Sequence, residues 1–379
     1  MGQASLETSS HHVLLTKPGR LLSVDVARGV IVALSVLLIN MPYAFAKHAE
    51  WYGMTLADLV FPAFSTIFGV GLGIAHFKQI RWARLLRRTV LFIFAGLLYN
   101  VMMAWSLDFS TLRLTGVLQL YAINGFLAAL AISLNKNWKF PLFLAVFIMT
   151  TYAFSLYWAG KACPQGLIQP DCNLFLMLDT RVFGEAHLYA QGNLGHDPEG
   201  IAVIYSALAN VFLGAATGRV LVDSKIKNKS GLLTMVGIVL LGACYLFSQF
   251  TPVAKKIWTP AFVALTSGIV ILFIALLYKL LDEREVSRPK WWLTRAVLYL
   301  LTGYGLNSLL VYFGVYFVVM ALAQNRILGS DSTEPLRDQL ISLVAFLPGH
   351  EQLNYALIFF VLWTLLVAVL HRLKWYVRI

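Results

Sequence analysis

Apolar residues in this chain come in long blocks separated by short polar segments, with no alternation at the period of a strand. Blocks of about 20 apolar residues match the length needed to cross the hydrocarbon of a bilayer. Such runs occupy 22–41, 55–77, 86–106, 114–134, 140–159, 199–222, 231–250, 259–281, 294–323 and 352–371. The pattern predicts an all-α polytopic membrane protein with about ten transmembrane helices. The run 294–323 exceeds one straight span, and Gly303 and Gly305 predict a kink within it. Residues 1–19 read as a disordered cytoplasmic tail, with no cleavable signal peptide ahead of the first run. Residues 20–379 read as a single transmembrane domain.

Composition agrees with the pattern. Of 379 residues, 59% are hydrophobic and only 13% charged, and the mean hydropathy is +0.72; ordinary soluble domains carry about twice that charge, ~25%. The net charge of +12 does not indicate a nucleic-acid partner, because the cations sit in short loops. Lys17, Arg20, Lys78, Arg81, Arg84, Arg87, Arg88, Lys136, Lys139, Lys225, Lys227, Lys229, Arg284, Arg288, Lys290, Arg372, Lys374 and Arg378 fall on one side. The opposite segments hold only Lys47, Arg113, Lys161, Arg181, Lys255, Lys256, Arg326 and Arg337. Both termini are therefore expected in the cytoplasm, and His48 outside. Cys163 and Cys172 share the outer loop after the fifth run, where oxidation is permitted, so a disulfide is expected. Cys244 lies within a span and reads as packing.

Polar groups at membrane depth are costly and mark candidate sites. Asn40 ends the first run, His48 lies in the following loop, and Asp58 sits just inside the second run. Each has a plain structural reading. Asn40 can cap its helix, His48 can be an interfacial residue, and Thr55 with Asp58 can form a capping box. Pro62 leaves the Asp58 carbonyl without its usual amide partner. Together at one face, the three suit proton transfer or acyl transfer by an imidazole. The outer loop 160–200 adds Asp179, Arg181, Glu185, His187, His196, Asp197 and Glu199. There Asp197 can be an N-cap, with Pro198 in the first helical position and Glu199 in the first turn. His187 and His196 lack zinc-ligand spacing, so no metal is expected. Gly69, Gly71 and Gly73 follow no strand and predict close helix packing, not a dinucleotide site. The arginines of 81–88 can anchor on anionic lipid or clamp a phosphorylated donor. Gln119, Asn124 and Asn307 can line a cavity or join helices.

The segment Arg20–Phe64, with RLLSVDVARGVIVALSVLLIN and KHAEWYGMTLADLVFPAF, resembles the start of the heparan-α-glucosaminide N-acetyltransferase family and its bacterial relatives. RLTGVLQLYAI (Arg113–Ile123), HLY (His187–Tyr189), DPEGI (Asp197–Ile201), KKIWTPAFV (Lys255–Val263) and GLNSLLVY (Gly305–Tyr312) continue it in order. The resemblance implies transfer of an acetyl group from cytoplasmic acetyl-CoA to a glucosamine-like amine on the other side of the membrane. It implies His48 as active-site base or acyl carrier, with Asn40 and Asp58 beside it. It places the acceptor among Trp51, His187, Asp197, Glu199, Lys256, Trp258 and Asn307, under a cap formed by the loop 160–199. It assigns the donor to Arg28, Arg87, Arg88 and Gln119. Tyr52 replaces an asparagine common in the motif, so acceptor contacts are expected to differ there.

The long lumenal N-terminal domain of the animal enzymes has no counterpart here, so the resemblance implies a bacterial inner-membrane, multi-pass form. Membrane lipids are expected neighbours, and a homodimer is compatible with the reading. Two rivals stay open: a sugar or lipid-linked glycan transporter, and an O-acyltransferase of cell-wall glycans.

Overall fold

The computed structural model describes residues 20–77, 80–283, 291–324 and 335–377. The expected tail 1–19, and with it Lys17, lies outside the described residues, as do Lys78, Arg284, Arg288, Lys290, Arg326 and Arg378. The described chain is helical, with no sheet. It comprises α1 (Leu22–Leu38), α2 (Leu56–Ala75), α3 (Trp82–Ala104), α4 (Val117–Leu134), α5 (Lys139–Gly160), α6 (Leu174–Phe183) and α7 (Ile201–Val222). It continues with α8 (Lys229–Ser248), α9 (Pro260–Leu281), α10 (Trp292–Leu306), α11 (Ser308–Ala323), α12 (Leu336–Leu343) and α13 (Glu351–Arg372).

Among the described residues, eight helices are long and apolar enough to cross a membrane: α2 to α5, α7 to α9, and α13. The protein is therefore a multi-pass membrane protein. This is close to the expectation of about ten spans, with one run to correct. The run 294–323 is not one kinked helix but two, α10 and α11, meeting at 79° about Asn307. They add a ninth span if the pair counts as one. Gly303 and Gly305 do not make the bend. A Cβ on Gly305 would lie 2.1 Å from the Asp25 carbonyl oxygen, so this glycine lets α10 approach α1. Helix α1, whose 17 residues rise about 26 Å and carry Asp25 and Arg28, stands outside these eight by length alone.

Close approach also sets the centre of the bundle. Gly69 and Gly73 of α2 face Gly214 and Gly218 of α7, and a Cβ on any of them would fall within 2.3 Å of the partner's backbone oxygen. This is the small-residue packing expected of the glycine-rich run. Helix α7 is buried along nearly its whole length. Around it, Asn210 donates to Ser267 Oγ (2.8 Å), Ser267 pairs with Thr66 Oγ1 (3.1 Å), and Trp258 donates to Asn210 Oδ1 (2.8 Å). Near the far end of α7, the buried Arg219 donates to the carbonyls of Ile132, Asn135 and Asn137, the orphan acceptors where α4 ends. Helix α1 is capped by another element: Asp282, just past α9, accepts from Leu22 N and Ser23 N at 3.0 Å each.

The α2–α7 contact yields a prediction. Gly214→Leu would drive a side chain into the Thr66 carbonyl, 1.9 Å from the Cβ position, and should destabilise the protein by at least about 1–3 kcal/mol. Gly242→Ala, whose Cβ meets nothing within 4 Å, should leave the melting temperature unchanged or higher. Thermal unfolding of both variants in detergent checks this.

Candidate functional site

The first turn of α2 organises the site. The capping box read from the sequence is present: Thr55 N donates to Asp58 Oδ2 at 3.0 Å, and the Asp58 amide meets the Thr55 side chain in return. The Asp58 carboxylate, fully buried, also accepts from Thr55 Oγ1 (3.0 Å) and Ala49 N (3.1 Å). Its other oxygen lies 2.8 Å from Nδ1 of His48, whose side chain remains 56% exposed. Thus the helix start fixes the acid, and the acid fixes the ring. Lys255 completes the group, with Nζ 3.4 Å from Asp58 Oδ1 and 3.0 and 3.2 Å from His48 Nδ1 and Nε2. Burial pushes the Lys255 ammonium below the usual lysine range, against the pull of Asp58 and Glu199.

Neighbouring loops assemble around this group. Gly53 N donates to the Val253 carbonyl at 2.7 Å, which ties the His48 loop to the segment carrying Lys255. Trp51 Nε1 and Tyr52 Oη donate to the Ile168 carbonyl at 2.9 and 2.6 Å. The Trp51 ring meets His196 edge-on and takes the Lys256 ammonium 5.9 Å from its centroid. Burial lowers the pKa of His196, so this imidazole stays neutral beside Trp51. Cys163 and Cys172 are disulfide-bonded, with Cα atoms 5.7 Å apart, as expected. Cys244 is free and half-buried.

Behind Trp51 lies a second charged group. Arg113 forks between Asp197 (3.0 Å) and Glu199, and its guanidinium stacks 4.6 Å from the Tyr189 ring centroid. Asp197 further accepts from Thr115 Oγ1 (2.6 Å), Tyr189 N (2.9 Å) and Glu199 N (2.9 Å). Burial works against the Arg113 cation, but Glu199 and Asp197 outweigh it and hold its pKa above the ordinary arginine value. Burial raises the Glu199 carboxyl against the pull of Arg113. His187 Nδ1 lies 2.7 Å from the Leu112 carbonyl and fastens the loop ahead of α4. The expected helix start at Asp197 and Pro198 is corrected. Helix α7 begins at Ile201 after Gly200, and its first amide is capped by Asp179, at 2.8 Å.

One turn below Asp58, Phe61 enters the wall of a cavity of about 360 Å³. Phe61, Tyr121 and Tyr312 line it together with Arg20, Arg28 and Arg88. Glu199 lies within electrostatic reach of both tyrosines, so that end adjoins the charged group just described. The arginines gather near Asp25, which pairs with Arg20 and lies 3.9 Å from Arg28. Guanidinium groups on a largely aromatic cavity fit a diphosphate carried on an apolar arm.

The sequence-predicted residues therefore divide. His48 and Asp58 meet; Trp51, His196 and Lys256 form the adjoining wall; Asp197 and Glu199 share Arg113; Arg28 and Arg88 share the cavity. Asn40 is buried beyond α1 with its amide nitrogen unpaired among the described residues, and no hydrogen bond joins it to His48. Arg87 is exposed and not on the cavity wall. Gln119 is buried against Gly96 of α3, and Asn307 is buried at the α10–α11 break, both with amides unpaired among the described residues. Trp258 is fully buried and hydrogen-bonded in the core. Two members were missed. Lys255 stands beside Lys256 in sequence, and nothing local distinguishes them; Arg113 sat in a quoted motif without a partner in view. No group of three or more metal-ligating side chains occurs among the described residues.

Asp179 gives a pH test. Burial raises its carboxyl from 3.8 to about 6, so its contribution to stability is full below 3.8 and is lost as pH rises through about 6. Asp179→Asn should therefore stabilise the protein at pH 7.5 by up to about 3 kcal/mol relative to its effect at pH 4. Thermal unfolding across that range checks the sign.

Residues 20–178 match the family model described as heparan-alpha-glucosaminide N-acetyltransferase, catalytic. The human heparan-alpha-glucosaminide N-acetyltransferase is 25% identical over 365 residues, covering 78% of this chain and 53% of that protein. The mouse protein is 24% identical over 363 residues, with the same coverage. The chain thus spans about half the length of the curated relatives it matches. The matched stretch contains Asn40, His48 and Asp58, together with the arginines of the cavity. Over residues 20–178, this chain is similar to the catalytic domain of the heparan-α-glucosaminide N-acetyltransferase family, and most of its length is distantly similar to the human and mouse proteins.

Proposed function

We propose that this protein transfers an acetyl group from acetyl-CoA to the amine of a glucosamine-like sugar at the His48 end of the bundle. One observation carries the reading: His48 and Lys255 share the buried Asp58 directly beyond a cavity with three arginines on its wall. Acetyl-CoA would supply the activated acyl group, with its phosphates met by Arg20, Arg28 and Arg88. The family uses an acetyl acceptor; the amino sugar and the membrane in which it is met belong to this proposal.

The protein's own groups account for the chemistry. Asp58 accepts the Nδ1 proton of His48, which leaves Nε2 with its lone pair. That nitrogen can take the proton of an acceptor ammonium, or attack the thioester carbonyl with release of the CoA thiolate and then yield the acetyl group to the amine, leaving as free imidazole. In either role the ring gains positive charge, and Asp58 stabilises it. The unpaired Asn40 amide is a donor available to a developing oxyanion. Lys255 holds Asp58 ionised and braces the exposed ring.

A second reading has its own support. The break at Asn307, with both amide atoms buried and unpaired, is the kind of interrupted helix on which transporters build their sites.

Acetyl transfer from labelled acetyl-CoA to glucosamine, in liposomes, separates them. His48→Ala should reduce turnover by about 10²–10⁴. Asp58→Asn and Lys255→Met should reduce it with donor affinity retained. Arg28→Ala and Arg88→Ala should raise the KM for acetyl-CoA, while the exposed Arg87→Ala should not. Wild-type protein that moves glucosamine across the bilayer without acetylating it would replace this reading with the transporter.

A further inference from the structure

A second cavity lies away from the arginines, on the side formed by α11, α12 and α13. It measures about 440 Å³, within the range of small-molecule sites, ~300–1,000 Å³. Val318 of α11, Leu340 and Leu343 of α12, and Ile358 and Leu362 of α13 wall it with hydrocarbon. One lining residue breaks the apolar pattern. Tyr355 is only 6% exposed, and its hydroxyl has no hydrogen-bond partner among the described residues. A buried hydroxyl without a partner forfeits about 1–3 kcal/mol, which a ligand acceptor can restore.

Polarity runs along the groove in one direction. Arg337 and Asp338 of α12 are charged neighbours felt at Tyr355; neither lines the cavity, and the Arg337 Nε is buried and unpaired among the described residues. From Tyr355 to Leu366 the floor follows α13 for about 16 Å, and it is apolar throughout. The polar end is also the end tied to Asn40, where α1 ends. Gln352, one turn before Tyr355, donates to the Asn40 carbonyl at 3.4 Å. The groove therefore presents an acceptor-seeking hydroxyl at the end tied to Asn40, and hydrocarbon beyond. That is the profile of an amphiphile standing in one leaflet.

We propose that this groove holds the hydrocarbon tail of a membrane-anchored acceptor, with its polar linkage at Tyr355 and its amino sugar reaching the His48 site. The proposal rests on the transferase reading and narrows its substrate class to lipid-linked amino sugars. It adds no covalent step; the tail sets the local concentration and orientation of the amine.

The test uses dodecyl glucosaminide carrying a diazirine in its tail, with the full-length protein in nanodiscs. Photolabelling should concentrate on peptides of α12 and α13, and Ile358→Trp, which fills the groove, should remove it. Acetylation of this amphiphile should then show a KM raised at least tenfold in Ile358→Trp and a few-fold in Tyr355→Phe. Both variants should keep the wild-type kcat and KM for free glucosamine, which also shows that they fold. Label spread evenly over lipid-facing helices such as α8, or a KM unmoved by Ile358→Trp, overturns the proposal. Localised label without transfer to either acceptor would retain the groove and overturn the transferase reading instead.

Discussion

The buried carboxylate of Asp58 is the constraint from which the site follows. It completes the amino terminus of α2, accepts two backbone amides and a hydroxyl, and still has an oxygen left for His48 and Lys255. An isolated carboxylate at this depth would be strongly unfavourable. Here the helix dipole, the capping amides and the Lys255 ammonium stabilise the charge together. The same interactions that end a loop and begin a helix therefore orient an imidazole. Structure and candidate chemistry share one set of hydrogen bonds.

Around that point the fold uses two kinds of packing that seldom meet in one small region. Along α2 and α7, glycines bring backbones into contact and leave no room for cavities. Across from them, Phe61, Tyr121 and Tyr312 hold a space open between α1, α2, α4 and α11. Rigid backbone on one side and large rings on the other produce a wall that is firm and a chamber that is shaped. Asp282 secures the start of α1, which borders this region, and Arg219 the far end of α4.

What the sequence disclosed follows from which forces are local. Hydropathy reports burial in lipid residue by residue, so most helices were legible within a few positions. It is blind to direction, and α10 and α11 therefore read as one run although they cross at 79°. The capping box was legible because Thr55 and Asp58 are three residues apart. Lys255 and Lys256 were not separable, since only the turn before α9 decides which ammonium points at Asp58. The pairing of Arg113 with Asp197 and Glu199, and the capping of α7 by Asp179, join residues too distant for any local pattern.

The two faces of α2 carry one last implication, for how such a chain can change. Phe61, Phe64 and Phe68 point into the cavity, while Gly69 and Gly73 lie against α7. One added or deleted residue between Asp58 and Gly69 would rotate everything beyond it by about 100°. The glycines would swing off α7 and the aromatic rings would enter the contact. Loops can lengthen, and helix ends can fray, without touching this arrangement. Within α2, however, variation is confined to substitution, and indels are excluded by the geometry of a single helix with two occupied sides.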